Sequence, residues 1–594
     1  MFKSGARLAF FALLSGVLAV PNLPAQIYVD VNTGSDERTG LNDWTNAVAT
    51  ISNGVLRAGQ HAQNTVLVAT GRYYLVSNIV VSSAITLRSW NNGALDRENT
   101  IVDGQGQTRC LYLVNTNATV AGFTFTGGNG VGNVNDKYGG GVYNAGGVLS
   151  NCLVLFNSAS DGGGGVVLAH AHASAVNCDV KYNETTEGRG GAGVYIYAAG
   201  LLLDSVIACN TNFAVEGGGG VSVRDGATPA NYKIIGCLIS NNYSATSAGG
   251  IYVGNACPII SSNTIVSNQA AVASGRGGGI YFYSVNKGSV FEHSTVAGNS
   301  AFDGGGVYIW PNYSGGGGGV IVSNCTIRGN TAPNFGGGLY AKIGNTSYTN
   351  TQVVVVDSVI DNNQATFAST SAGFRGGGGV YWNAPGWMEN CIITNNNSGA
   401  TGGGLYLRRD YVTSSSGVYE KLVLRNCLVA SNRAAIAGGV YFSQITNDKP
   451  ARLDSCTVAG NVASNSAGGV FFHQSADAAL TNTIVYHNFA PEYDNIRMDA
   501  TSYQLGYCCV IPTNHLALAG GLVNVTTNDP RFAGWESMNF SLTAGSSCAN
   551  TGINQDWMNN ALDLDGRPRL DRFSRLVDMG CYERMPQGFM FNIR

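Results

Sequence analysis

The sequence predicts an all-β fold, a parallel β-helix with about three short strands per coil, closed by an N-terminal helical cap and followed by a small C-terminal tail domain. Three observations lead there. A pair of motifs, seen at Gly304-Gly305-Gly306-Val307-Tyr308 and then Ser323-Asn324-Cys325-Thr326-Ile327-Arg328-Gly329-Asn330, recurs from about residue 139 to 488. Between copies run alternating apolar stretches such as Val320/Val322, Val353/Val355 and Leu422/Leu424. The 82 glycines come with a regular supply of Val, Ile and Tyr, which a disordered Gly-rich chain would lack.

The second motif reads small residue, any, Val or Ile, any, any, Asn. Examples are Cys152 to Asn157, Cys178 to Asn183, Ser205 to Asn210, Cys237 to Asn241, Cys325 to Asn330 and Cys456 to Asn461. Self-similarity at roughly 25–40 residues marks a solenoid. Three strands per unit are too few for a propeller blade, and the WD and kelch signatures are missing. In a β-helix, equivalent residues of successive coils stack about 4.8 Å apart. The Cys/Ser and Val/Ile positions then become ladders in the core. The Asn is expected at a bend, where left-handed geometry costs it little and its amide bonds its neighbours. Glycine runs are expected to supply positive-φ turns at another corner. The general crossover preference makes the coil right-handed.

In chain order, Lys3 and Arg7 precede an apolar run from Leu8 to Val20 that is too short to span a bilayer and ends near Ala25. Residues 1–25 therefore read as a secretory signal peptide. No Cys occurs before Cys110, which excludes a lipoprotein-type attachment near the start, and no later segment reads as a membrane span. Residues 26–75 form a cap and first strand, with an amphipathic helix within Trp44 to Ala58 whose apolar face carries Val48, Ile51, Val55 and Leu56. Residues 76–500 are the repeats and 501–594 the tail. With 594 residues, 44% of them hydrophobic and 12% charged, the chain can bury a long core. A net charge of −3 without a basic tract argues against nucleic acid as a partner.

Tyr28-Val29-Asp30, Gly34-Ser35-Asp36, Trp44 and Val66 to Tyr73 resemble the opening of bacterial secreted right-handed β-helix proteins. The Gly-Gly-Val-Tyr and Val/Ile-x-x-Asn elements are similar to the repeats of polymorphic outer membrane proteins. Asn528 to Phe532, Leu542 to Cys548, Asp563 to Arg569 and Val577 to Glu583 resemble the choice-of-anchor Q domain. The resemblance implies a secreted or cell-surface bacterial protein and is specific for architecture rather than activity. Only about 100 residues follow the repeats, too few for a membrane barrel plus the tail. The chain ends at Phe591-Asn592-Ile593-Arg594 without an apolar sorting segment, so release, or retention by other contacts, is the expectation.

Few residues suggest chemistry. The 14 cysteines invite disulfides in an exported protein. Those of the repeats, such as Cys152/Cys178 and Cys427/Cys456, read as small core residues interchangeable with Ser205, Ser294 and Ser358. Cys548 with Cys581, or the vicinal Cys508-Cys509, are better placed to crosslink. The Asn-Thr-Asp, Gly-His-Gly, Arg-Ile-Lys and Asp-Pro-His signatures of β-helix enzymes are absent. Arg189, Arg276 and Arg375 before glycine runs, Arg408-Arg409-Asp410, and Lys181, Glu184 and Glu187 read as exposed turn residues. His170 and His172 make a His-x-His without a third ligand. Asp563-Leu564-Asp565-Gly566 imitates the start of a Ca²⁺ loop without its glutamate and reads as a turn, so no cofactor is implied.

One column stands out. Tyr195, Tyr252, Tyr281, Tyr308, Tyr340, Tyr381, Tyr406 and Tyr441 share one register next to an aliphatic residue. If the aliphatic neighbour points inward, alternation turns these rings outward into a stripe that can stack on sugar rings, contact a protein, or simply stabilise the sheet. The expected function is an adhesin or glycan-binding scaffold whose partner is a polysaccharide or cell-surface protein. The alternative is a polysaccharide lyase or glycoside hydrolase on the same scaffold.

Overall fold

The computed structural model describes residues 26–584 apart from segments 131–136, 198, 227–231, 286–287, 312–317, 344–351, 368–374, 410–421, 446–450, 474–476, 500–501, 512–520 and 572–573. The signal peptide assigned to 1–25 and the terminal residues 591–594 lie outside the described residues.

The chain winds into a parallel β-solenoid. Among the described residues, sheet A has 18 strands from Gln26–Val29 to Leu522–Val523. Sheet B has 16, from Gly71–Tyr74 to Cys509–Val510, and sheet C has 15, from Ile79–Val81 to Ile496–Met498. Each strand pairs in parallel with its equivalents one turn before and after, and this pairing runs past residue 500 to Leu522–Val523. Val154 lies in register with Val180, Val180 with Ile207 and Ile207 with Ile239, all fully buried. Period-2 alternation sends these residues inward on every turn, so the core is a set of columns of like side chains.

The asparagines also stack. The Asn183 amide Nδ2 donates to Asn210 Oδ1 at 3.0 Å and to the Val154 carbonyl of the previous turn at 2.9 Å. Its backbone N–H donates to the same Asn210 oxygen at 3.0 Å. Repeated along the coil, this arrangement gives each buried amide a partner above and below, which removes the cost of burying it. The bend itself is made one residue earlier than the sequence suggested. Phe156, Tyr182, Cys209 and Asn241 hold φ of 56°, 57°, 56° and 54°, whereas the ladder residues do not have positive φ. In the fourth unit, accordingly, Asn241 turns the corner and Asn242 carries the ladder. An asparagine already bonded on both sides is fixed by its amide, so the left-handed residue is free to vary.

The glycine corner is tighter than a positive-φ turn requires. Gly304 has φ 62°, but Gly305 is needed for a different reason: a Cβ there would lie 2.4 Å from the Thr331 carbonyl oxygen of the next turn.

At the N-terminal end, α1 (Ile51–Gln60) covers the first turn, capped by Thr50 Oγ1 accepting the Asn53 N–H at 3.3 Å. Ile51, Gly54, Val55 and Ala58 face the coil, and a Cβ on Gly54 would meet Val29 Cγ2 at 2.4 Å. Trp44–Asn46 forms a separate 3-10 turn, and Leu56, expected on the buried face, points to solvent because the contact is centred on Gly54. At the other end the tail does not extend the rod. Its antiparallel hairpin, Phe532–Gly534 with Asn539–Leu542, and the loops after it lie along the outside of sheet B, where Phe540 and Cys581 pack on Leu428, Ala430 and Ala459.

Inside the tail, Arg569 is fully buried and its Nη1 lies 3.1 Å from Glu583 Oε1. Asp563 Oδ1 accepts the Asp565 and Arg567 N–H groups, and its Oδ2 accepts that of Glu583 at 2.7 Å. Asp578 accepts the N–H groups of Asn550 and Arg584, each at 2.6 Å. The Asp563–Gly566 stretch is thus a turn whose carboxylate is occupied by backbone donors.

Candidate functional site

Sheet C strands send their first and third residues inward and their second and fourth outward. In Val307–Trp310, Val307 and Ile309 enter the core while Tyr308 and Trp310 leave it. Tyr252, Tyr281, Tyr308, Tyr340, Tyr381, Tyr406, Tyr441 and Phe471 then form one column with ring centroids 4.7–5.5 Å apart. Tyr195 belongs to the same register but is separated from it by Ser222.

The rings leave the coil interior as alternation requires, yet they do not form an open stripe. Tyr195 and the eight column rings are only 0–6% exposed. Ala248, Phe335, Ile436, Ala437 and Ala467, from the corners that precede the strands, pack over them. The column is a second apolar core outside the first, its faces spent on neighbouring rings. This corrects the expectation of a solvent-facing stripe at these positions.

The open row lies two residues further along each strand. Tyr197 is 42% exposed, and Tyr283, Trp310, Arg224, Lys342 and Arg408 are half-buried. Charged corner residues face this row. The Arg276 guanidinium lies 5.4 Å from the Trp310 ring and 6.0 Å from Tyr308, and Lys342 Nζ lies 5.8 Å from Trp310 on the next turn. Tyr283 meets Trp310 edge-on at 5.7 Å. Arg276 and Asp303 bridge in register across adjacent turns. Burial pushes the Asp303 carboxyl above its usual value, opposed by the bond donated by Asn334 Nδ2 at 2.9 Å and by the Arg276 charge.

Closer to the N-terminus, Glu216 accepts a hydrogen bond from the Tyr252 hydroxyl and pairs with Arg224 at 2.5 Å, and that guanidinium sits 4.8 Å over the Tyr252 ring. Burial raises the Glu216 carboxyl, but these two partners outweigh it and hold it below the ordinary range. The face therefore presents partly open aromatic rings, fixed cations and carboxylates at two places, around Glu216 and Arg224 and around Arg276, Asp303, Trp310 and Lys342.

This chemistry suits binding more than bond cleavage. Glu216 and Asp303 are separated by three turns, since the Gly220, Gly250, Gly279 and Gly306 corners stack in sequence. Three turns are roughly 14 Å, beyond the ~5–9.5 Å over which paired carboxylates hydrolyse a glycoside. A second crevice, a cavity of about 340 Å³ between the tail turn at Leu562, Asp563 and Gly566 and the coil residues Asp357 and Asn390, offers less, because its carboxylates are already engaged.

The other sequence candidates separate. His170 and His172 stack at 5.3 Å on the surface, and no group of three metal ligands occurs among the described residues. Thirteen of the 14 cysteines are buried and Cys209 is half-buried. Cys548 packs with Leu542 and Met579 in one apolar cluster, and Cys581 with Leu428 and Phe540 in another. Arg276, read from sequence as an ordinary turn residue, lies at the centre of the open row. The row itself was missed although the same alternation marks it, two residues after Tyr195, Tyr281, Tyr308, Tyr340 and Tyr406, with Gly254, Asn383 and Ser443 interrupting it.

No protein family and no curated protein matches the chain by sequence. The solved structures similar to it include two that follow. One is pectate lyase Pel9A, with 12% identity and a TM-score of 0.28, covering 94% of this chain and 96% of that one. The other is a mutant tailspike protein of E. coli bacteriophage HK620 in complex with a pentasaccharide, with 13% identity and a TM-score of 0.31, covering 85% and 79%. These scores carry no functional argument, which rests on the chain's own residues.

Proposed function

We propose that the protein is a secreted or cell-surface scaffold that binds polysaccharide along the outer face of sheet C. The observation that carries this is the open row itself, where Trp310 and Tyr283 are flanked by Arg276, Lys342 and Asp303. A pyranose ring stacks on a partly exposed aromatic face, and its hydroxyl or carboxylate groups take hydrogen bonds from adjacent guanidinium and ammonium groups. A row that extends over successive turns ~4.8 Å apart, as Tyr283, Trp310 and Lys342 do, suits a polymer better than a compact ligand. The resemblance of the repeats to polymorphic outer membrane proteins, and of the tail to the choice-of-anchor Q domain, supports the extracellular setting. Among the described residues no helix is long and apolar enough to cross a membrane.

Affinity electrophoresis of the purified protein through gels containing acidic or neutral polysaccharides tests this reading. Retardation by at least one polymer, lost in a Tyr283→Ala/Trp310→Ala double variant with an unchanged unfolding curve, is the expected result. Equal retardation of variant and parent would place binding elsewhere. The raised Asp303 carboxyl beside Arg276 is the one feature favouring a lyase or hydrolase instead. Release of unsaturated or reducing ends during the same incubation would decide for that enzyme.

A further inference from the structure

We infer that the stacked rings of Phe156 and Tyr182 form a second carbohydrate site, away from sheet C, that takes one pyranose unit of a glycan on a ring face. Both residues belong to the left-handed corner between sheet B and the asparagine ladder. Each turn from Gly127 to His487 sets one residue in this column, at φ of 54–66°, and most of them are Gly, Asn or Ser. A bulky ring is the outlier there, because its Cβ crowds the backbone in the left-handed region. The corner itself needs no ring, as its other occupants show. Strain kept at an exposed position points to a use outside the fold.

The rings are presented rather than packed. Phe156 is 63% and Tyr182 51% exposed, and their planes lie 8° apart with centroids at 5.0 Å. Their neighbours in the column are Gly127, which has no side chain, and the short Cys209. Neither outer ring face is therefore covered from within the column.

A third aromatic residue of the column shows what such a ring can receive. His487 lies 4.7 Å from Trp535 of the tail with planes 8° apart, so a flat group already rests on this corner once. The surroundings of the two places differ, and the difference decides the occupant. Trp535 has Phe489 at 5.8 Å, and His487 has Phe532 at 6.1 Å, which suits an aromatic side chain. Beside Tyr182 the groups are charged. Lys181 Nζ lies 3.0 Å from Asp179 Oδ2, Arg97 Nη2 lies 3.8 Å from the same oxygen, and Glu184 is exposed. A pyranose turns its C–H face to the ring and its hydroxyls to such donors and acceptors, which an indole or phenyl ring cannot do. This site stands on a different corner of the coil and does not depend on the sheet C row.

Saturation-transfer difference NMR tests it, with cello-, chito-, manno- and maltotetraose and N-acetyltryptophanamide as probes. The full chain carrying Tyr283→Ala/Trp310→Ala is the background, so loss of the row and loss of this site are read separately. Adding Phe156→Asn/Tyr182→Asn installs the residue that the column uses at Asn241, Asn362 and Asn395. The expected result is transfer to at least one tetraose in the background, with Kd raised about tenfold by the added pair. The thermal midpoint should stay level or rise, because the strained rings are gone. A lower midpoint would make the rings structural and overturn the inference. Transfer to a tetraose by the parent but not by the background would leave the row in place and remove this site. Transfer to no tetraose, or transfer unchanged by the added pair, would also overturn it. So would transfer to N-acetyltryptophanamide alone, which would mark a protein's aromatic side chain as the occupant.

Discussion

In the coil, a buried polar group meets a copy of itself; in the tail, it meets something different and usually charged. Asn183 is bonded to Asn210, and Ser205 Oγ accepts the Cys178 N–H and donates to the Leu203 carbonyl, each a neutral arrangement repeated turn after turn. The tail instead sets the Arg569 guanidinium against the Glu583 carboxylate and the Asp578 carbonyl, with Asp563 accepting the Glu583 N–H, once among the described residues. Repetition makes the coil tolerant of small changes in any single rung, and the rungs themselves carry no titrating group. The tail gains a unique geometry and depends on every member of it.

The largest expected effect follows from that dependence. Arg569→Met removes the cation from a fully buried cluster, and breaking such an arrangement costs about 3–5 kcal/mol. Limited proteolysis should show the tail released while the β-sheet circular dichroism of the coil persists. Cooperative loss of both would mean that coil and tail form a single folding unit.

Asn330→Ala tests the coil side. It removes the Asn330 oxygen that accepts from the Asn299 backbone N–H and Nδ2, and the donor to the Val296 carbonyl, at about 1–3 kcal/mol for each buried group left unpaired. Because the rungs at Asn299 and Asn363 stay bonded to their outer neighbours, we expect a shifted denaturation midpoint of a folded protein rather than collapse. A loss exceeding that of Arg569→Met would break the contrast.

A pH titration separates the two regions further. Burial raises the Glu583 carboxyl to about 9 against the pull of Arg569, and burial raises Asp578 too. A carboxyl raised in the folded state binds a proton that the unfolded chain gives up above its ordinary range. Its contribution to stability is therefore complete below about pH 4.5 and is lost as pH rises toward 9. Proteolytic release of the tail should speed up between pH 5 and 9, and Glu583→Gln should flatten that slope. The asparagine ladders carry no titrating group, so any pH dependence of the coil comes from its few buried carboxyls, such as Asp303 and Glu389, which burial also raises.

What the sequence made legible follows the same division. Val154, Val180 and Ile207 were found in register because copies of one residue type, spaced by one repeat, leave only one way to stack. The left-handed corner was misplaced by one residue because Phe156, Tyr182 and Cys209 do not look like turn formers, and only the fixed amide next door permits them there. The tail's cluster and the packing of Cys548 with Leu542 and Met579 were not readable, since neither is repeated and both depend on how the tail folds back along sheet B. The covered tyrosine column was half legible. Alternation gave its direction, but which corner residues close over it depends on the path of loops that carry no period.

That column and the row beside it give the finest comparison, because Tyr308 and Trp310 leave the same strand on the same face. Tyr308 is buried between Tyr281 and Tyr340, with centroids at 4.8 and 4.7 Å. Truncating it to alanine opens a cavity in the second core and costs about 3–5 kcal/mol, the range for large buried aromatics. Trp310 packs on Tyr283 and beneath Arg276 but keeps part of its ring open, so Trp310→Ala should cost less than Tyr308→Ala, about 1 kcal/mol, from lost edge-to-face and cation–π contacts. Polysaccharide affinity should respond in the opposite order, falling about tenfold for Trp310→Ala if one stacked sugar is lost at ~1.4 kcal/mol. A conservative Tyr308→Phe, which keeps the packing, should leave it unchanged. Should Tyr308→Phe weaken binding while Trp310→Ala does not, the ligand would be reading the tyrosine hydroxyls rather than the open rings, and the binding row would have to move back by two residues.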